Sequence, residues 1–534
     1  MTEPTRVHDT VARLFLDVVA AHPDRVAIDY YGTRLTYAQL DELVGGLAAY
    51  LREHDVGPAD RVAIYLQTSP HWVLAALAVW RLGATVVPVN PMYREHEIAD
   101  ILAQATPSAF VSSEEGYRDV VAALLPGTSV HLALTTSELD LLDDPDPRVF
   151  GGRRPAPVEG IPDLLQAARQ YAGRAGDAGQ AALPGPDDVA LVCFTSGTTG
   201  PAKGAILTHR NIASNVAASA RILRLPEGCV VFALAPMFHV VGLVLELALF
   251  QQVAGTLVMP FRLVPEVAVE LFRRTRPQFM VGPPTAFSAL MGVAGVTRAD
   301  LASFTTLYAG GAPLPPALVE RFEAQFGHYI NNGYGLTETS AACVFSPPGR
   351  RAEVDEATNA LANGFPFPGT EVRIVGDDGL DAPVGEHGEI ALRGPAVTPG
   401  YWNRPEETAN AIKDGWFYSG DVGFVNALGV LFCVDRKKDM IIASGFKVWP
   451  GEVESVLVQH PSVAEAAVVG AADDYRGETV KAYVALVPGA SATPEELIAH
   501  CRDRMAAYKR PSVVEIVDAL PRNAAGKVLK RELR

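Results

Sequence analysis

Residues 194–204 read FTSGTTGPAKG, a run of hydroxylated and flexible residues that ends on one lysine. Thr195, Ser196, Thr198 and Thr199 offer hydroxyl donors. Gly197 and Gly200 let backbone N–H groups turn toward an anion, and Lys203 adds a mobile point charge. This set suits the holding of phosphate. It is not a P-loop, because Ala202 precedes Lys203 and Gly204 follows it, so Gly-Lys-[Ser/Thr] is absent. The ordinary alternative is a Ser/Thr/Gly linker. The run sits between two apolar strand-like segments, where linkers are rare.

Three further sets could do chemistry. YAGGAPL (308–314) and NNGYGLTETS (331–340) combine glycines that admit a planar base, Gly310 and Gly311, with Tyr334 as a stacking face. Thr337 and Glu338 follow as a hydroxyl beside a carboxylate. A hard cation such as Mg²⁺ takes few protein oxygens when phosphate and water supply the rest, so one glutamate suffices. In GWFYSGDVG (415–423), Asp421 follows a tight Ser-Gly turn and could accept from the two hydroxyls of a ribose, with Arg436 nearby in sequence. Lys527 stands in PRNAAGK with alanine and glycine around it. Each has a plain structural reading when taken alone: a solvated carboxylate, an Asx turn, a surface lysine.

The elements that must position these residues alternate helix and strand. RLTYAQLDELVGGLAAYLREH is helical after Thr36, DRVAIYL and ATVVPVN read as strands, and a helix opens at Ser69-Pro70. Such alternation predicts α/β layers on largely parallel sheets. DVALVCF (188–194) is a strand, and a short strand then leads into a helix capped by Thr208 or Asn211, so the 194–204 loop sits at a hairpin tip and should be mobile. Residues 144–187 read as an exposed loop region. Beyond the charged VDRKKDMI (434–441) the pattern becomes a small α+β unit, with a capping box at Thr493-Pro494-Glu495-Glu496. The expected division is 1–434, a hinge at 435–438, and 439–534.

Composition closes several options. With 534 residues and 49% hydrophobic content the chain can bury ample core. A net charge of −16 excludes nucleic acid as a partner and requires anions to be met by local cations and backbone N–H groups. Five scattered cysteines without Cys-x-x-Cys spacing fit a reducing cytoplasm. The apolar run at 230–250 is interrupted by Pro236, His239 and Glu246, which predicts a buried strand-turn-helix and no transmembrane segment.

Together these motifs resemble the acyl-adenylate-forming superfamily of acyl-CoA synthetases, adenylation domains and beetle luciferases. The resemblance runs through LTYAQLDELVGGLAAYL, FTSGTTGPAKG, PMFHVVG, YAGGAPL, NGYGLTE, YSGD, VDRKKDMIIASGFKVWPGEVE and PRNAAGK, in the family's order. It looks most like the fatty-acyl-CoA and 4-coumarate-CoA ligases. Two departures, Pro201-Ala202 before Lys203 and Asn523 in the last motif, leave the charged positions untouched.

The resemblance implies a large N-terminal domain of two αβ-layered sheets plus a distorted barrel, and a small mobile C-terminal domain. It implies ATP, Mg²⁺ and coenzyme A. A carboxylate attacks the α-phosphorus of ATP, pyrophosphate leaves, and a thiol then displaces AMP. On this reading the 195–200 loop and Lys203 hold the β- and γ-phosphates. Gly310, Gly311, Ala312 and Pro313, with Asn332, Gly333 and Tyr334, surround adenine. Thr337 touches the α-phosphate, Glu338 binds Mg²⁺, and Asp421 and Arg436 grip the ribose. Lys527 bridges the attacking carboxylate and the α-phosphate. Lys438 is the pivot, and Ser444, Gly445 and Phe446 line the thiol tunnel. Phe238, His239, Val240, Gly282, Pro283 and Gly335 border the acyl pocket. His239 stands nearest the reacting carboxylate.

No aspartate in FHVVGLVLELALF is placed to bind an α-amino group, so amino acids are disfavoured. Medium- and long-chain fatty acids are preferred. Aryl or cinnamic acids, transfer to a carrier-protein thiol, and a non-catalytic nucleotide-binding homologue stand as alternatives. A cytoplasmic enzyme is expected, and a homodimer is compatible with the sequence.

Overall fold

The computed structural model describes residues 8–151, 155–174, 183–195, 202–443, 446–473, 477–502, 504–522 and 527–534. Two mixed sheets carry most of the chain. In the nine-stranded sheet, six neighbouring strands run parallel: Ile330–Leu336, Thr306–Ala309, Phe279–Gly282, Val230–Phe232, Thr256–Val258 and Val26–Tyr30. Antiparallel strands close both edges. The six-stranded sheet runs Leu132–Thr136, Ala109–Ser113, Arg61–Tyr65, Thr85–Pro88, Val189–Thr195 and Lys203–Thr208, with only the last pair antiparallel. Parallel strands buried on both faces are near-continuous apolar runs, as in the fully buried VAIY of 62–65.

Helices fill the space between the sheets. Tyr37–Glu53 begins where Thr36 and Gln39 form a reciprocal capping box. Pro70–Arg81 is buried over eleven of its twelve residues, and its Trp80 Nε1 donates to Ala190 O at 2.9 Å. The apolar 230–250 run is the strand Val230–Phe232 followed by helical turns from Val240. Among the described residues no helix is long and apolar enough to cross a membrane.

The third sheet, five antiparallel strands around Trp416–Val425, curls into a half-barrel. The last sheet belongs to the small C-terminal unit: Ile441–Ala443, Phe446–Val448, Val463–Asp473, Gly477–Leu486 and Val513–Val517. The helices Pro450–Leu457 and Pro494–Arg502 pack on it through Val453, Leu457, Leu497 and Cys501. The capping box at Thr493 and Glu496 forms as its sequence predicts.

The 144–187 region departs from the expected exposed loop. Within it lies the helix Leu164–Gln170, started by Asp163 and burying Leu164, Leu165 and Ala168. It packs on the Tyr37–Glu53 helix where Gly46 has no side chain; a Cβ there would meet Ala168 O at 2.0 Å. Loop-like composition on either side hides this short amphipathic helix, which the neighbouring helix completes.

Candidate active site

The hairpin Val189–Thr195 and Lys203–Thr208 brings the ends of the phosphate-loop motif together, with Thr195 opposite Lys203 and its hydroxyl donating to Lys203 O at 3.3 Å. Ser196, Gly197, Thr198, Thr199 and Gly200 lie outside the described residues, as does the expected mobility of that tip. The outer edge of the second strand is covered by residues 400–402. Ile206 N donates to Gly400 O at 3.0 Å and Trp402 N to Gly204 O at 2.7 Å. This pairing aims Tyr401 inward, and the Lys203 ammonium sits over its ring at 5.5 Å.

Tyr401 also reaches the expected metal ligand. Its hydroxyl donates to Glu338 Oε1 at 2.7 Å, while Thr398 N donates to the Glu338 carbonyl at 2.7 Å. Glu338 lies in the 3₁₀ turn Thr337–Thr339 that ends the strand Ile330–Leu336. Burial pushes its carboxyl up, against the Tyr401 hydrogen bond and the Arg436 charge. Among the described residues no group of three or more His, Cys, Asp or Glu side chains could hold a metal. A cation that draws most of its ligands from phosphate and water fits, because Glu338 offers hard oxygens whose charge burial leaves under-compensated.

Where the sequence places adenine, Gly310 N donates to Gly282 O at 3.1 Å, and Gly311 has φ +79° with nothing within 4 Å of a Cβ built on it. Gly311, Ala312 and Pro313 therefore present an open backbone ledge. Asn332 is buried and gives its amide to Leu361 O and Ala362 O at 3.0 and 3.2 Å, so it shapes the ledge with donors already committed. Gly333 and Gly335 are sites of close approach: a Cβ would meet the Phe345 ring at 2.9 Å and Ala341 O at 2.0 Å. Tyr334 is 7% exposed and packed among Ile374, Ile390 and Leu392, which leaves little ring face for stacking. It joins the site through its hydroxyl, which donates to Asp421 Oδ2 at 3.0 Å.

Asp421 is not preceded by a terminal turn. It lies inside the strand Trp416–Val425, where Ser419 and Gly420 bulge outward; pairing with Gly388–Arg393 jumps from Glu389↔Val422 to Ala391↔Tyr418. Gly420 takes φ +72°, which a side chain would strain. The bulge re-aims Asp421 at Arg436, its partner in the strand Leu431–Arg436, with Arg436 Nε to Asp421 Oδ1 at 3.1 Å. Burial pushes the Asp421 carboxyl up, and Arg436, Tyr334 and Lys527 oppose that.

Lys527, distant in sequence, joins this cluster. Burial pulls its ammonium down to about 8, helped by repulsion from Arg436 and opposed by Asp421. The same charge reaches His239. Burial first and Lys527 second lower the His239 imidazole to about 4, so it is neutral at pH 7. His239 begins a helical turn with Nδ1 accepting from Val241 N at 3.4 Å. Phe238 and Val240 flank it, buried, and Pro283 precedes the helix Pro284–Met291. A Cβ on Gly282 would meet Leu234 Cδ2 at 2.5 Å. Lys438 occupies the 3₁₀ turn Lys437–Asp439. Phe446 is exposed and stacks on Tyr508 with ring centroids 4.7 Å apart, while Ser444 and Gly445 lie outside the described residues.

Sequence reasoning missed Tyr401 and treated Glu246 only as an interruption of an apolar run. Glu246 is fully buried, accepts from Ala235 N at 2.8 Å through Oε1 and leaves Oε2 without a partner. Nothing in TPGYWNRP marks Tyr401, since its partners are 63 residues away at Glu338 and in the 203–208 strand.

Residues 15–402 match the family described as AMP-binding enzyme, and residues 452–527 match the AMP-binding enzyme C-terminal domain. A long-chain-fatty-acid–CoA ligase of Bacillus subtilis (strain 168) is 34% identical, covering 98% of this chain and 94% of its own. A feruloyl-CoA synthase of Amycolatopsis sp is 35% identical, covering 96% of each. The ATP-bound crystal structure of MatB from Rhodopseudomonas palustris is similar, with TM-score 0.85 and 29% identity over 98% of both chains.

Proposed function

The chain belongs to the AMP-binding enzyme family, and on that premise we propose which acid it activates and which residues do the work. It is an ATP-dependent, AMP-forming acyl-CoA ligase. The acid we assign is a medium- or long-chain fatty acid. Support comes from the fatty-acid ligase relative, which spans nearly the whole chain, and from the apolar, uncharged wall of Phe238, Val240 and neutral His239.

One observation carries the residue assignments: Lys527 is gathered electrostatically with Asp421, Arg436 and His239. A lysine there can lie between the two anions that must react, the acid's carboxylate and the α-phosphate. Asp421, fixed by Arg436 and Tyr334, would accept from the ribose hydroxyls. The ledge at 310–313 would take adenine. Thr337 would reach the α-phosphate, and Thr195 and Lys203 would face the leaving pyrophosphate. Glu338, steadied by Tyr401, would hold Mg²⁺, which when bound neutralises phosphate charge.

In the first half-reaction a carboxylate oxygen bonds to the α-phosphorus as its bond to the bridging oxygen of pyrophosphate breaks. In the second, the CoA thiol loses its proton to solvent, its sulfur bonds to the acyl carbon as the bond from that carbon to the AMP oxygen breaks, and AMP departs with the electron pair. We take 435–438 as the hinge that carries Lys527 out between the two steps, with Lys438 as pivot and the Phe446 segment brought toward the thiol. A reducing compartment suits the five unpaired cysteines.

An aryl acid is the second reading, favoured by the feruloyl-CoA synthase relative. Pyrophosphate release over straight-chain acids of graded length and over cinnamic acids, with and without CoA, tests both. Faster turnover of cinnamates than of every fatty acid would reject our assignment. Acyl-AMP that accumulates equally with and without CoA would reject CoA as acceptor.

A further inference from the structure

Lys527 must be held to better than an ångström to serve two anions at once, yet it lies on a tail near the chain's end. The contacts that fix this tail form a continuous line back to the proposed hinge. The helix Pro450–Leu457 starts after Trp449, which provides no side-chain cap. Its cap comes instead from Asp435, at the end of the half-barrel strand: Gly451 N donates to Asp435 Oδ2 at 2.7 Å. The other Asp435 oxygen accepts from Arg436 N at 2.7 Å. One turn along the helix, Glu454 Oε1 accepts from Val468 N at 2.8 Å and pairs with the Lys530 ammonium at 2.7 Å. Both side chains are only 18% exposed. Lys530 opens the 3₁₀ turn Lys530–Glu532, and Leu533 anchors that turn among Ala467, Val469 and Leu520.

We propose that Asp435 and the Glu454–Lys530 ion pair are positioning residues that seat Lys527 for the adenylation step. The line runs Asp435, Gly451, Glu454, Lys530, and reaches Lys527 three residues before the pair. Its first link crosses the 435–438 segment, so the cap exists while Lys527 is seated and parts when the segment rotates. The charges agree with the geometry, since Asp435 also favours the charged form of Lys530. This inference rests on the reading of Lys527 as the adenylating lysine.

The test measures the half-reactions separately on the full chain, with dodecanoate, ATP and CoA. Adenylation is followed by pyrophosphate release, and thioester formation by adding CoA to supplied dodecanoyl-AMP. Glu454→Gln, Lys530→Met and Asp435→Ala should each slow adenylation about 10- to 100-fold, the penalty expected of an ångström-scale misplacement. In the two variants of the ion pair, KM for ATP should stay within about twofold. Thioester formation should also stay within about twofold, which doubles as the control for folding. Lys527→Ala is the reference. Equal losses in both half-reactions, or unaltered adenylation, overturn the proposal. Unaltered adenylation in Lys527→Ala itself would instead remove the reading on which it stands.

Discussion

Replacing Tyr401 by phenylalanine separates two contacts that meet on one side chain. The hydroxyl donates to Glu338 Oε1 at 2.7 Å, and the ring carries the Lys203 ammonium at 5.5 Å. Phenylalanine removes the first and keeps the second. A hydrogen bond to a charged acceptor contributes about 1.5–3 kcal/mol, so kcat/KM for adenylation should fall about 10- to 150-fold. The carboxylate is already pushed toward its neutral form by burial, and losing its donor leaves that push less opposed. The loss should therefore shrink as Mg²⁺ is raised, because a bound cation restores the charged form. Tyr401→Leu removes the ring as well, and a cation–π contact of about 0.5–2 kcal/mol adds a further two- to thirtyfold loss. The assay is initial-rate pyrophosphate release across a Mg²⁺ titration. If Tyr401→Phe keeps the wild-type Mg²⁺ dependence, or if Tyr401→Leu is no worse than Tyr401→Phe, Tyr401 does not link the loop lysine to Glu338.

Further outcomes follow from the same geometry. Lys527→Ala should reduce adenylation by roughly 2.7–4 kcal/mol, about a hundred- to a thousandfold, while thioester formation from supplied acyl-AMP persists. Lys527 acts in its charged form and its ammonium is lowered to about 8. So kcat/KM for adenylation should fall about tenfold per pH unit above pH 8; a profile flat to pH 10 refutes the assignment. Gly46→Ala gains up to about 1 kcal/mol of helix propensity. It drives a methyl toward Ala168 O, and overpacking of about 1–3 kcal/mol should win. Urea unfolding reads the sign, and a stabilised variant would mean that the two helices do not meet there.

Much of the scaffold is legible because its signals are local. Thr36 and Gln39, Thr208 and Asn211, and Thr493 and Glu496 each satisfy one another within four residues, so their helix starts can be read from the chain. Parallel strands announce themselves as apolar runs. What escapes reading is set by pairings between distant segments. The bulge that turns Asp421 onto Arg436 depends on how two strands slip past Glu389 and Val422, and no residue type encodes that offset. Tyr334 looks like a stacking surface until Ile374, Ile390 and Leu392 bury its ring. The helix at Leu164 is invisible until the groove at Gly46 is there to receive it.

The buried Glu246 gives the fold a proton inventory of its own. With no exposed surface and only one oxygen partnered, its carboxyl is held well above the usual range by burial. Its carboxyl therefore keeps its proton to higher pH in the folded enzyme than in the unfolded chain. The sign follows: its contribution to stability is complete below the unfolded pKa and declines as pH rises toward the folded one, at about 1.4 kcal/mol per pH unit. Folding at a pH between those two values thus takes up protons at this site. That uptake makes the calorimetric enthalpy of unfolding depend on the buffer's ionisation heat, and Glu246→Gln should remove that part of the dependence.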